Sequence, residues 1–262
     1  MTVSHAAVVG SPIAHSLSPV LHRAAYRALG LDWTYEAIEQ TVDSFPAFFA
    51  GLDSSWRGLS VTMPLKEVAL ANADEASDLA TRVGAANTLI HANGRWRADN
   101  TDVLGMCNSL RAIGVNSCEK ATILGGGATA RSAFAALAEL GVDSVTVCVR
   151  RPIAGEEFVR WASQWSVRVE VASLEPDSAL ADVEVLIATV PFPAADSWAE
   201  VAGEGALLDV SYHPWPTVLS AAWRGPVASG RDLLLWQAVE QVQLMTGMAA
   251  PIEVMAAAVN SA

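Results

Sequence analysis

The sequence predicts an α/β protein of two domains, and three observations carry that prediction. Short apolar runs alternate with stretches of helical periodicity along the chain, which is the pattern of mostly parallel sheets flanked by helices. The rhythm restarts near residue 120, where an apolar run ends in Gly125-Gly126-Gly127 and a new helical pattern follows. At 262 residues with 52% hydrophobic side chains, the chain is long enough for one large core or two ordinary ones.

Taken in order, Ala6–Gly10 reads as a buried strand followed by a loop rich in Ser and Pro. From Ser18, apolar residues recur at Leu21, Ala24, Ala25, Ala28 and Leu29, which is helical spacing. Ser18-Pro19 suits an N-cap and first helical position, and Gly30 suits the stop. Strands are expected near Trp33–Ile38, Gly58–Met63 and Ala86–His91, with Asn93-Gly94 turning a hairpin into Trp96-Arg97-Ala98. The second rhythm predicts a strand at Ala121–Leu124, a helix Ala128–Leu140 ended by Gly141, and a strand Val145–Val149. It continues with a helix over Glu156–Trp165 and buried strands at Val167–Val171, Val183–Val190 and Ala206–Val210. Two last helices are expected at Asp232–Met245 and Ile252–Val259. No linker marks the join, which is placed at Asp102–Leu104 with a helix Val103–Ile113 crossing between domains.

Composition narrows the function. With 28 acidic against 16 basic residues the formal net charge is −12, which argues against nucleic acid as the main partner. A small anionic ligand remains possible where a few cations are placed locally. Cys107, Cys118 and Cys148 lie far apart with no CxxC spacing, so neither a disulfide framework nor a metal site is expected, and a cytoplasmic location is. The first 22 residues carry no Asp, Glu, Lys or Arg, yet Ser4, Gly10, Pro12, Ser16, Ser18 and Pro19 break any apolar run. No membrane association is expected.

Gly125-Gly126-Gly127-Ala128-Thr129-Ala130 reads as G-x-G-x-x-A between strand and helix. The first Gly permits the sharp turn, the second lets backbone approach a pyrophosphate, and the helix N-terminus supplies free N–H groups. About 20 residues further on, where a carboxylate would grip the ribose of NAD, the chain reads Val149-Arg150-Arg151-Pro152. Guanidinium groups suit a 2′-phosphate; the plainer reading is a solvated strand end.

In the first half, Ser16 and Ser18 flank Leu17, Thr62 and Lys66 close and follow a strand, Asn87 begins another, and Asp102 ends Asp99-Asn100-Thr101-Asp102. Singly these are ordinary cap and turn residues. Lys66 is one of only two lysines, although a solvated lysine is the plain alternative.

Together, Gly10-Ser11-Pro12-Ile13-Ala14-His15-Ser16-Leu17-Ser18-Pro19, Ser60-Val61-Thr62-Met63-Pro64-Leu65-Lys66, Gly84-Ala85-Ala86-Asn87-Thr88, Asp99-Asn100-Thr101-Asp102, the glycine turn and Leu235-Trp236-Gln237 resemble the shikimate dehydrogenase family over essentially the whole chain. Trp33-Thr34-Tyr35-Glu36, Trp96-Arg97-Ala98-Asp99 and Pro214-Trp215-Pro216-Thr217 look closest to its actinobacterial-type members. The resemblance implies reversible, NADPH-dependent reduction of 3-dehydroshikimate to shikimate in aromatic amino-acid biosynthesis. It implies a substrate domain over residues 1–102, to which residues 237–262 return, and a Rossmann-like NADP-binding domain over residues 103–236. By motif position, Ser16, Ser18 and Tyr212 would hold the substrate carboxylate, and Thr62, Asn87, Asp102 and Gln237 the ring hydroxyls. Lys66 and Asp102 would be the catalytic pair. Gly125, Gly126, Gly127, Ala128, Arg150 and Arg151 would hold the phosphates, with Thr189, Val210, Gly230 and Leu233 near the nicotinamide half. The family's Asn-Arg-Thr motif stands here as Val149-Arg150-Arg151, its fourth glycine as Ala128, and its Gly-Leu-x-Met-Leu segment as Gly230-Arg231-Asp232-Leu233-Leu234.

The chemistry of such a reaction asks for positioning and one group that manages a proton. An ammonium at Lys66 stabilises the oxygen that gains negative charge as hydride arrives, with Asp102 as orienter or partner. Two rivals stand beside this reading: an NAD-using quinate/shikimate dehydrogenase, against which the missing carboxylate near Arg150 weighs, and a non-catalytic regulatory paralogue, against which the presence of both Lys66 and Asp102 weighs. The expected partner is a small-molecule substrate, with the chain a monomer or homodimer.

Overall fold

The structure, a computed structural model, describes residues 3–262. The chain divides into two compact units, one holding the chain up to Thr101 together with Leu234–Ala262, the other Asp102–Leu233. Each is an α/β unit around one six-stranded sheet.

The first unit runs β1 (Ser4–Gly10), α1 (Ser18–Ala28), β2 (Trp33–Glu39), α2 (Phe45–Ala50), β3 (Trp56–Val61), α3 (Lys66–Asn72), β4 (Glu75–Ala76), α4 (Asp78–Val83), β5 (Thr88–Ala92) and β6 (Arg95–Asp99). Its sheet order is β2-β1-β3-β5-β6-β4. Strands β2, β1 and β3 are parallel, whereas β5 runs antiparallel to both β3 and β6. The β5–β6 hairpin turns at Asn93 and Gly94, both at positive φ (54° and 74°), the backbone that a type I′ turn demands and that Asn-Gly supplies at least cost. Successive residues of β1 point to opposite faces. Ala6 and Val8 join Leu21, Tyr26, Tyr35, Val242 and Met255 on one side, and Ala7 and Val9 join Phe45, Leu59, Ala69 and Trp96 on the other. Both faces of this strand are therefore covered, and its near-continuous apolar run follows from that.

The second unit runs α5 (Asp102–Ala112), β7 (Lys120–Leu124), α6 (Ala128–Glu139), β8 (Ser144–Val149), α7 (Pro152–Ala162), β9 (Arg168–Ser173), α8 (Ser178–Ala181) and β10 (Val185–Ala188). A short 3₁₀ helix (Asp196–Val201), β11 (Ala206–Asp209), α9 (Val218–Ala222) and β12 (Val227–Ala228) complete it. All six strands are parallel, in the order β12-β11-β10-β7-β8-β9. This is the doubly wound order, with its switch point between β7 and β10. Phe134 of α6, fully buried, meets Phe158, Trp161 and Trp165 edge-on, the favoured geometry for aromatic pairs.

Helix α10 (Gly230–Thr246) spans the division between the units, and α11 (Ile252–Asn260) packs against α1 in the first.

Several expectations are corrected. Ser18 is the first helical residue, not the cap; Leu17, whose side chain has no acceptor, occupies the cap position, and Ser18 is buried in the first turn. Strand β9 is not buried: it is the sheet edge, where Val169 and Ala172 are half-buried and Val171 is exposed, because one side of the strand has no neighbour. The helix expected at Glu156–Trp165 starts at Pro152, at a position where a missing N–H costs nothing, and ends at Ala162. Asn87 precedes β5 by one residue, although its backbone is still bonded on both sides, its N–H to the Asp99 carbonyl at 3.1 Å and its carbonyl to Val61 N–H at 2.7 Å.

Candidate active site

In the first unit the predicted residues gather at one end of the sheet. Strands β1 and β3 are parallel, so the loops carrying Ser16–Ser18 and Thr62–Lys66 leave from the same end; β5 is antiparallel, so Asn87 enters there, and β6 delivers Asn100 and Thr101. The loops are tied together: Ser11 N–H donates to the Met63 carbonyl at 3.0 Å, Thr62 N–H to the Val9 carbonyl at 2.9 Å and Ala86 N–H to the Lys66 carbonyl at 2.8 Å. Gly10 is required where the loops cross, since a Cβ there would lie 2.7 Å from the Met63 carbonyl oxygen. Ser18 N–H donates to Ser16 Oγ at 3.3 Å.

Asn87 is held on every side. Its Oδ1 accepts from Thr101 N–H at 2.7 Å and Thr88 Oγ1 at 2.8 Å; its Nδ2 donates to Thr101 Oγ1 at 2.9 Å and Gln237 Oε1 at 3.4 Å. The amide orientation is thereby fixed, because Thr101 N–H only donates. Thr62 and Lys66 are half-buried, and Lys66 opens α3. Asp102, 6% exposed, opens α5 directly after Thr101.

Behind this edge lies a polar cluster that sequence reasoning missed: His22, Tyr35, Ser60, Thr88 and Gln241, all at most 3% exposed. Gln241 Oε1 accepts from Ser60 Oγ at 2.6 Å and His22 Nε2 at 3.1 Å. Burial pushes the His22 imidazole down to about 3, against the opposing pull of Gln241, so it is neutral and stacks on Tyr35 at 4.0 Å. The one available signal was the four-residue spacing of Gln241 from Gln237, which puts both amides on one helix face.

The second unit gathers its predicted residues at the carboxyl ends of β7, β8, β10 and β11. Gly125 has φ +115°, and a Cβ there would sit 2.5 Å from Thr189 Oγ1. A Cβ on Gly126 would lie 2.9 Å from Val149 Cγ1, whereas Gly127 faces open space. Gly125 N–H donates to the Cys148 carbonyl at 2.9 Å, which sets the turn beside the strand end that carries Arg150 and Arg151. Both arginines are exposed, and Arg151 is extended, as a residue before proline must be. Ala128 begins α6 behind Gly127. Thr189 Oγ1 donates to the Leu124 carbonyl at 2.8 Å and Val210 N–H to the Ala188 carbonyl at 3.1 Å. Gly230 packs against the Val210–Ser211 backbone, 2.6 Å from the Ser211 carbonyl oxygen to any Cβ, so only glycine fits. Asp209 pins the loop bearing Val210 and Tyr212 by accepting from Thr217 Oγ1 at 2.6 Å and Ser211 N–H at 3.0 Å; burial raises its carboxyl and these bonds oppose the rise. Tyr212 is half-buried, and burial raises its phenol. Leu233 is buried in the first turn of α10. Asp232, the carboxylate beside Leu233, is spent on the helix start: its Oδ2 accepts from Ser229 N–H at 2.7 Å and Oγ at 2.6 Å, and its N–H returns a bond to Ser229 Oγ. That is a reciprocal capping box.

The donor set fits a dinucleotide. A glycine turn open at Gly127, a helix N-terminus behind it and two exposed guanidiniums at the second strand end offer what a pyrophosphate and a 2′-phosphate require.

Residues 8–89 match the model of the shikimate dehydrogenase substrate-binding domain, and residues 230–259 that of the shikimate 5′-dehydrogenase C-terminal domain. A shikimate dehydrogenase (NADP(+)) of Thermus thermophilus is 34% identical over 246 residues, 92% of each chain. The chain belongs to the shikimate dehydrogenase family. The crystal structure of Mycobacterium tuberculosis shikimate dehydrogenase superposes with a TM-score of 0.90 at 43% identity, covering 98% of this chain and 99% of that one. Another member of the family, a Thermus thermophilus shikimate 5-dehydrogenase in complex with NADP(H) and shikimate, has a TM-score of 0.86 at 30% identity, covering 99% of both chains. Among the described residues no helix is long and apolar enough to cross a membrane.

Proposed function

We propose that this chain catalyses the reversible NADPH-dependent reduction of 3-dehydroshikimate to shikimate, a cytoplasmic step of aromatic amino-acid biosynthesis. The observation that carries the reading is the constellation at the edge of the first sheet: two serines, Thr62, Lys66 and an Asn87–Gln237 pair, gathered by crossed loops, in a chain of this family.

Ser16 and Ser18 hold the substrate carboxylate, with Tyr212 as a third contact. Neutral donors grip the anion without competing for Asp102. Thr62, Asn87, Asp102 and Gln237 read the ring hydroxyls, and the rigid amide of Asn87 makes that reading selective, because a ligand lacking a hydroxyl leaves buried polar atoms unpaired. Gly125, Gly126, Gly127 and Ala128 cradle the pyrophosphate, Arg150 and Arg151 the 2′-phosphate, and Thr189, Val210, Gly230 and Leu233 border the nicotinamide. Bound NADPH supplies the hydride. The Lys66 ammonium stabilises the charge that gathers on the carbonyl oxygen and delivers a proton from Nζ, while Asp102 orients it and accepts from the adjacent hydroxyl. In shikimate oxidation the same groups take the proton back.

The test is initial rates by nicotinamide absorbance, with shikimate and quinate, each with NADP and NAD. Shikimate with NADP is expected to give the highest kcat/KM. A preference for quinate or for NAD would move the chain to the catabolic reading, and no turnover with any pair would make it a binding protein.

A further inference from the structure

Helix α10 carries two amides one turn apart, Gln237 and Gln241, and the second is bonded on every side. Gln241 is fully buried. Its Nε2 donates to the Asn87 carbonyl at 3.2 Å and to Thr88 Oγ1 at 3.0 Å, both at the head of β5. Its Oε1 accepts from Ser60 Oγ of β3 at 2.6 Å and from His22 Nε2 of α1 at 3.1 Å. Ser60 in turn accepts from the Tyr35 phenol at 2.5 Å, which leaves its own proton for Gln241. An amide donates twice and accepts twice, so Gln241 is satisfied in full. Turned over, it would set Oε1 against the Asn87 carbonyl, two acceptors face to face, so its orientation is fixed as well. Gln237 is oriented too: its Nε2 donates to the Leu234 carbonyl at 2.9 Å, which turns Oε1 to Asn87 Nδ2 at 3.4 Å. That last contact is at the outer limit of a hydrogen bond, and a slide of α10 by about half an ångström would break it. The apolar side chains of the same helix, Ala238, Val242 and Met245, hold it to the core, but apolar contact is non-directional and resists a slide less. The four bonds of Gln241, to three other elements, fix the position along the helix axis.

We propose that Gln241 is a positioning residue: it fixes the register of α10 on β3, β5 and α1, and so sets Gln237 against Asn87 at the spacing from which the two amides read a ring hydroxyl. With all four of its bonds made inside the core, Gln241 has none left for a ligand and acts only through Gln237. This rests on the proposed function, which makes Gln237 and Asn87 readers of the ring hydroxyls.

The experiment is steady-state kinetics of shikimate oxidation, with urea melts alongside, for wild type, Gln241→Met, Ser60→Ala, Gln237→Ala, the Gln237→Ala/Gln241→Met double variant and Val242→Ala. Methionine keeps the length of the side chain and loses the four bonds. Gln241→Met is expected to raise KM for shikimate about three- to tenfold, the scale of one hydrogen bond lost at the ligand, with KM for NADP unchanged. Ser60→Ala removes one of the four partners and should raise KM for shikimate about two- to threefold, which serves if Gln241→Met does not fold. In the Gln237→Ala background Gln241→Met should change KM by less than about twofold, because the residue it positions is gone. Val242→Ala, equally buried and next along the helix, opens a cavity without touching the four bonds; it should lower the urea midpoint and leave KM for shikimate unchanged. The inference is overturned if Gln241→Met, or Ser60→Ala in its place, leaves KM for shikimate unchanged, if Val242→Ala raises it as much, or if the loss persists in full without Gln237. A loss in Gln237→Ala with none in Gln241→Met overturns the inference alone. A wild-type KM in Gln237→Ala overturns the role given to Gln237 in the proposed function, and the inference with it.

Discussion

Replacing Arg150 by alanine tests the cofactor assignment at its most exposed point. Arg150 follows β8 beside the glycine turn, in water rather than in the core, so the attraction it can offer is that of a screened charge. A pair of unit charges about 4 Å apart in water is worth about 1 kcal/mol, and a 2′-phosphate carrying nearly two charges about twice that. Arg151 shares the same neighbourhood and retains part of the field, which places the loss at about 1–2 kcal/mol, or roughly 5- to 30-fold in KM for NADP. NAD lacks the phosphate, so its KM should hardly move. Screening gives a second signature: raising salt from about 0.05 to 0.5 M should raise the wild-type KM for NADP and narrow its gap to the variant. Steady-state titration of both cofactors against both proteins, at two ionic strengths, measures all of this. Equal losses for NADP and NAD, or a wild type that prefers NAD, would refute the assignment.

Lys66→Ala should cut kcat by about 10²–10⁴ while KM for shikimate changes little; near-normal turnover with a raised KM would remove the proton role from this residue. Gly125→Ala forces a side chain into φ +115° and against Thr189, which should cost about 1–3 kcal/mol in urea melts and weaken NADP binding; an unchanged midpoint and KM would show the turn to be tolerant. His22 is neutral when folded because burial lowers it from 6.5 to about 3. The unfolded chain therefore binds the extra proton, and stability should fall as pH drops from about 6.5 toward 3, by up to ~1.4 kcal/mol per pH unit. His22→Phe should flatten that slope relative to wild type in urea melts between pH 7 and pH 4, and identical slopes would contradict it.

How much was legible without the structure follows from the range of the forces involved. The Asn93-Gly94 hairpin, the helix ending before Gly30 and the Gly125 turn are set by φ preferences of one or two residues, and each stands where its local chemistry put it. The alternation of Ala6 and Val8 against Ala7 and Val9 likewise encodes a strand covered on both faces. The candidate site was legible only as ordered motifs, since Ser16, Thr62, Lys66, Asn87 and Gln237 are spread over more than 200 positions and nothing local links them. Sheet register does that work: parallel β1 and β3 and antiparallel β5 deliver their loops to one edge.

Ser18 shows the limit most clearly. Next to Pro19 it has the local signature of a helix cap, yet it is the first residue of α1 and is buried, and in the same core Tyr35 donates to Ser60 and Ser60 to Gln241, on a helix more than 200 residues from Tyr35. Backbone preferences and face alternation are properties of neighbours in the chain, so the amino-acid order alone decides them. The direction of a buried hydrogen-bond chain depends on which donors and acceptors packing brings within about 3 Å, and only the folded core decides that.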